Sequence, residues 1–485
     1  MKKISLVVIS LIWSITTLFA QSHDIESDNL YYSILSEENL TLELVGSSGT
    51  ESEIVIPAHV VYNDKAYSVI QIGESAFDYN MTITSVTFPR TLKTIGDDAF
   101  WGCIGLTSLI IPESVTKIGE GAFIRCTGLE SIVLSDGIEK IDWCVFYGCI
   151  SLKNITWPSS LKKIDRQAFE GCLSLENIDL PESLESIGFQ SFLSCSSLKS
   201  LKIPAGVTSV ANWAFGRCSA LQTVELPGSL AELGKYAFAE CNALEDISFP
   251  EGFRVIGESA FRECAVLKTV RIPASVEQVG AHAFAQCPLI ENISVDAGNP
   301  YFAEREGFVM TKDYSELVVY PNAKGEMCEI PVGTQIIRSG SFGGCTITTL
   351  TVPESLTEIR EGALSDCKEL EEVHFLANTA PMVEMDAFYG VNTECILYCP
   401  VGTKELYAAS EELAKFAIEE EEREDPNAIA ITPLDADREV ITVNYYTLSG
   451  TMVSHPAEGG FLIRKTIFKD GRSKSEKIYR KNENR

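Results

Sequence analysis

The 485-residue chain is poor in the groups that do chemistry. Its five histidines, His23, His59, His282, His374 and His455, share no spacing, and Gly-x-Ser-x-Gly, His-Glu-x-x-His, P-loop and Cys-x-x-Cys patterns are all missing. Catalysis needs a placed nucleophile, base and oxyanion donor, or paired carboxylates. The chain therefore reads as a non-enzyme without cofactor or metal. Positive charge is also scarce. Lys and Arg number 39 against 68 Asp and Glu, a formal charge of -29. Such a body repels nucleic acid and anionic lipid. Long apolar runs are missing apart from residues 4–19, so the mature chain is expected to have no transmembrane segment. That one run lies between Lys2-Lys3 and Ala20, the plan of a secretory signal peptide spanning 1–20 and removed near Ala20.

What the chain has in quantity is one phrase. Residues 106–126 read Leu-Thr-Ser-Leu-Ile-Ile-Pro-Glu-Ser-Val-Thr-Lys-Ile-Gly-Glu-Gly-Ala-Phe-Ile-Arg-Cys, and the phrase returns every 23 residues. Its cysteine marks the beat at Cys103, Cys126, Cys149, Cys172, Cys195, Cys218, Cys241, Cys264 and Cys287. Three residues ahead of each stands Phe100, Phe123, Phe146, Phe169, Phe192, Phe215, Phe238, Phe261 or Phe284. A fixed period of this length predicts a solenoid, in which each unit buries its apolar face by stacking on its neighbours. Leu106, Leu109 and Ile111 alternate as a short strand that Pro112 ends, because proline cannot donate to a ladder. Val115 and Ile118 turn inward again, and Gly-Ala-Phe-x-x-Cys makes a helical or 3-10 turn on the opposite side. Departures are few: Ser135 replaces the proline, and Asp142, Asp165 and Ala211 replace the glycine.

The phrase Leu-x-x-Ile-x-Ile-Pro-x-Ser-Val-x-x-Ile-Gly-x-x-Ala-Phe-x-x-Cys resembles the BspA-like leucine-rich repeats of bacterial surface proteins over roughly residues 54–400. The resemblance implies a secreted, non-enzymatic protein, and adhesion, since some members are adhesins. The fold class is then an α/β repeat: a leucine-rich-repeat solenoid of short parallel strands and short turns, with a small all-β C-terminal module.

Fifteen cysteines in an exported chain suggest a disulfide framework. Here most follow the repeat, and side chains stacked in register point the same way rather than at each other, so a column of buried thiols is expected. The domain limits read as signal peptide 1–20, N-terminal β cap 21–53, solenoid 54–400 with an insertion at 291–330, acidic helix or linker 401–428, and β module 429–485. The insertion is expected to pair Phe308–Met310 with Leu317–Tyr320 in a hairpin. Residues 411–425 carry eight acids and two bases, the composition of a solvated helix or linker. In the last segment strands are expected at 440–446, 452–453, 461–463 and 477–479. Its phrase from Tyr446 to Ile463 resembles the C-terminal sorting modules of Bacteroidetes type IX secretion, which implies export across the outer membrane.

Binding is read from the outward face of the stacked strands. One column runs Thr87, Ile110, Val133, Thr156, Asp179, Lys202, Glu225, Ser248, Arg271, and a second Ser85, Ser108, Ser131, Asn154, Asn177, Ser200, Thr223, Asp246, Thr269. Asn154, Thr156, Asn177, Asp179, Lys202, Glu225, Asp246 and Arg271 are the candidate ligand-binding residues. A protein partner on a host or neighbouring cell is expected, a glycan being the alternative. The solvated-face alternative is equally open, because the strip has none of the Trp, Tyr and Arg anchors of binding hot spots. Trp101, Trp143 and Trp213 fall on the turn side. An enzyme remains the remote alternative, and it would need a pocket of convergent acid and base groups within 291–330.

Overall fold

The structure, a computed structural model, describes residues 23–422 and the strands Val440–Tyr446, Met452–Val453, Gly460–Phe468 and Ser473–Arg480. The expected signal peptide lies outside the described residues, as does part of the phrase likened to a sorting module. Two units are distinguished. The first holds the described residues through Lys312 with Val318–Lys324 and Gly340–Cys345; the second holds Asp313–Leu317, Gly325–Ser339 and the chain from Thr346 onward.

In the first unit the repeat becomes a parallel β-solenoid. The strands Ser108–Ile110, Ser131–Val133 and Asn154–Thr156 pair in parallel, each residue opposite the one 23 positions away, as with Ser131 and Asn154. Asn177–Ile178, Ser200–Lys202 and Thr223–Glu225 form a second such group, and Asp246–Ser248, Thr269–Ile272 and Asn292–Val295 a third. Leu109 is buried and Ile110 exposed, the alternation expected of a strand with one wet face. A second parallel ladder, absent from the sequence reading, runs from Lys140–Ile141 to Gln278–Val279 over seven strands. These strands are two residues long, too short to show alternation.

On the third side the expected helical turn takes the form of hydrogen-bonded turns. Phe123 N–H donates to Val145 C=O of the next coil at 2.9 Å, while Ile124 N–H donates back to Gly121 C=O at 2.9 Å. Positive φ at Gly121 (65°) and Arg125 (55°) keeps the segment from winding into a helix. The glycine before this turn answers to close approach. A Cβ at Gly257 would lie 2.4 Å from the Gly234 carbonyl oxygen of the previous coil.

The core is a column repeated coil by coil. From Phe77 to Phe284 each ring stacks on the next with centroids 5.0–5.7 Å apart, the offset arrangement that aromatic quadrupoles favour. Beside it the thiols donate to these phenylalanines' backbone. Cys172 Sγ lies 3.2 Å from Phe146 O, and the same bond recurs from Cys103 to Phe77 through Cys287 to Phe261. All fifteen cysteines are free and buried. Burial pushes the Cys149 and Cys218 thiols up to about 12.

At its start this unit has the antiparallel strands Ile25–Ser27, Leu30–Ser36 and Thr41–Ser47. Thr41–Ser47 pairs in parallel with Lys65–Ile72, which pairs with Thr94–Ile95 and through it with Lys117–Ile118, a ladder separate from the one that starts at Lys140–Ile141. His59–Tyr62 and Lys65–Ile72 form a hairpin over Asn63 and Asp64, both at positive φ. Within the insertion, Phe302–Arg305 pairs antiparallel with Phe308–Thr311 across Gly307, a hairpin not foreseen in the sequence.

The second unit carries parallel strands Met327–Glu329, Thr349–Val352, Glu372–Phe375, Ile396–Pro400 and Ala417–Glu421. The last one corrects the reading of the acidic run as helix or linker. Residues 417–421 are a strand, preceded by a short helix, Lys404–Ala408, and a 3-10 turn, Leu413–Lys415. Ile418 is buried while Glu419 and Glu420 face solvent, so the acids occupy the wet positions of an edge strand, where charge discourages further pairing. The C-terminal strands form a four-stranded antiparallel sheet, with Val440–Tyr446 between Met452–Val453 and Gly460–Phe468, and Ser473–Arg480 at the far edge. Among the described residues no helix is long and apolar enough to cross a membrane.

Candidate interaction surface

The outward strip is built by strand alternation: one side chain per strand goes to the core and its neighbours go to water. Asn154 and Thr156 are exposed at the ends of one strand, and Asn177 and Asp179 follow on the next coil. Lys202, Glu225, Asp246 and Arg271 are also exposed. The three strand groups divide these eight residues. Lys202 and Glu225 stand opposite each other in one ladder, and Asn177 accepts a hydrogen bond from Ser200 at 3.3 Å. Asp246 and Arg271 belong to another ladder, and Asn154 with Thr156 to a third.

Several of the strip's charges already have partners. Lys202 Nζ is 3.0 Å from Glu182, and that hydrogen bond raises its pKa. Arg271 is 3.4 Å from Asp296. One residue outside the two columns lies a set of ion pairs that the sequence reading missed: Glu130 with Lys153 at 3.5 Å, Glu176 with Lys199 at 2.7 Å, and Glu245 with Lys268 at 3.0 Å. Opposite charges 23 residues apart were the available signal. Such exposed pairs add little stability, but like charges there would repel and shift the register.

Towards its N-terminal end the strip carries three exposed apolar side chains beside the exposed Thr87. Val55 is 67% exposed, Ile110 71% and Val133 39%. Ile110 and Val133 are direct cross-strand neighbours, flanked by Ser108 and Ser131. Trp101, Trp143 and Trp213 lie on the turn side, as expected, whereas Trp157 follows the strand Asn154–Thr156 and packs edge-on against Phe169. Trp213 stacks on Tyr236 at 4.3 Å, and the Arg166 guanidinium covers Trp143 at 4.5 Å. Among the described residues no group of three or more His, Cys, Asp or Glu is placed to hold a metal ion.

The profile of the BspA type leucine rich repeat region matches residues 64–176, 162–291 and 320–408, in six copies. The chain belongs to this family. The BspA-type coil accounts for the 23-residue beat, the Phe column and the parallel strands. A crystal structure of a leucine-rich repeat protein from Bacteroides ovatus is 24% identical, with a TM-score of 0.52, over 82% of this chain and 100% of that one. A leucine rich cell surface protein from Faecalibacterium prausnitzii is 23% identical, covering 83% and 96%, with a TM-score of 0.42. The Treponema pallidum leucine rich repeat protein is 24% identical, covering 46% and 90%, with a TM-score of 0.33. No curated protein matches the chain. The BspA-type family supports a repeat protein of the protein-interaction kind.

Proposed function

We propose that this protein recognises other proteins at the cell surface, in an adhesive role, through the outward wall of its first-unit strands. The observation that carries the reading is the exposed pair Ile110 and Val133, adjacent on paired strands and ringed by hydroxyls. Apolar side chains set together on a wet sheet face mark contact surfaces. Asn154, Thr156, Asn177, Asp179, Lys202, Glu225, Asp246 and Arg271 extend that wall as a polar margin. Shape and side-chain contacts do the work, without cofactor or catalysis.

Export by residues 1–20 and sorting through residues 429–485 complete the proposal, with 21–53 as cap and 54–400 as the repeat body. The F. prausnitzii cell surface protein is in keeping with that location. The test is binding of the purified chain to an array of matrix and cell-surface proteins beside a glycan array. Ile110→Asp with Val133→Asp should abolish capture of a protein ligand and leave the fold intact. Capture of glycans alone, or of proteins equally by wild type and variant, would contradict the reading.

A further inference from the structure

A repeat array advertises a site where its pattern fails, and here one corner fails in several ways at once. In the second ladder, Lys163 N–H donates to Glu139 C=O at 3.2 Å and Asp165 N–H to Ile141 C=O at 2.9 Å. The equivalent bonds from Lys140 to Thr116 and from Asp142 to Ile118 are not formed, and the ladder ends at Lys117–Ile118 and restarts at Lys140–Ile141. A cleft of about 300 Å³ opens there, between Thr116–Ile118 on one side and Glu139, Lys140 and Asp142 on the other. Ser135 and Asp142, which replace the repeat's proline and glycine, both fall in this coil.

Next to the cleft the surface changes character. At the position after the repeat's glycine, other coils carry Asp97, Glu120, Asn212, Lys235 and Glu258, whereas three consecutive coils carry Trp143, Arg166 and Phe189. Cys144 N–H to Arg166 C=O and Gln167 N–H to Phe189 C=O tie these coils side by side. Trp143 is 37% and Phe189 43% exposed, and the guanidinium of Arg166 lies over the indole. Aromatic, arginine, aromatic is the composition of a hot spot. Among the described residues neither Arg166 nor Lys117 has a carboxylate partner, whereas the neighbouring Lys140, Lys162 and Lys163 are paired.

We propose that this corner binds an extended, acidic peptide segment of a partner protein. The open ladder supplies strand-type acceptors at Thr116 and Ile118 and donors at Lys140 and Asp142, the groups a peptide main chain satisfies. Lys117 and Arg166 take its carboxylates, and Trp143 and Phe189 take an apolar side chain. A sugar fits less well, because Arg166 already covers a face of Trp143 on which a sugar ring would stack. This site is separate from the Ile110–Val133 patch, and either can fail without the other.

The test uses the full chain and labelled peptides of matched length in which Asp and Leu, or Lys and Leu, alternate, beside oligogalacturonate as an anionic sugar. The acidic peptide should bind and the basic one should not. Arg166→Glu, Phe189→Ser and Lys117→Glu should each weaken it about tenfold, while Ile110→Asp leaves it unchanged, with thermal melts confirming that every variant is folded. Equal binding of both peptides, indifference to all three variants, or capture of the sugar but not the acidic peptide would overturn the assignment.

Discussion

The residue that best explains the repeat is its cysteine. A small apolar side chain would fill the slot, but the thiol also donates to the phenylalanine carbonyl one coil back. The position was legible from spacing alone; the bond was not, because its acceptor lies 26 residues away in sequence and is defined only by stacking. Cys172→Ser should therefore keep the bond, at the cost of burying a more polar group, whereas Cys172→Ala should lose about 1–2 kcal/mol in a urea melt. The thiols also set an alkaline limit. Their ordinary pKa of 9.0 rises to about 12 in Cys149 and Cys218 through burial. Between those values the unfolded chain gives up protons that the folded chain keeps, so stability falls as pH rises. The slope is about 1.4 kcal/mol per pH unit for each such thiol. Chemical melts from pH 7 to 11 should be level up to about 8.5 and fall steeply beyond. A flat profile would contradict this account of the column.

At the scale of the coil, one turn holds two strands and a stacked ring, and each half depends on close approach. Phe169→Ala should cost about 3–5 kcal/mol by opening the spine between Phe146 and Phe192. Gly257→Ala should also destabilise, since its Cβ would collide with the Gly234 carbonyl. Lys199→Ala, which breaks an exposed pair with Glu176, should leave the melting temperature almost unmoved. The first strand was readable from Leu109 and Ile110 because alternation needs only three residues. The second, Lys117–Ile118, was not, because a single inward isoleucine carries no period. The strand Ala417–Glu421 was hidden for another reason. Four consecutive glutamates suggest solvation in any linear reading, and only the open edge of Ile396–Pro400 makes them a strand.

For the molecule at large, the 23-residue beat made the coil of the first unit legible, since nine in-phase copies admit few other folds. The proposed contact surface was less legible. The outward columns follow from alternation, but their ion pairs and the missing ladder beside Trp143 arise between coils. The proposed sorting role belongs to this scale as well. Removing residues 429–485 should leave the protein retained inside the cell, read by fractionation and surface proteolysis, and unchanged surface exposure would contradict that role.

The central claim is that no coil of the first unit is stable except between its neighbours. Native-state hydrogen exchange on Phe169→Ala against wild type tests this most directly. The account predicts lost protection in the coils of Phe146 and Phe192 as well as in that of Phe169, fading coil by coil in both directions. Loss confined to the substituted coil, with its neighbours as protected as before, would contradict it.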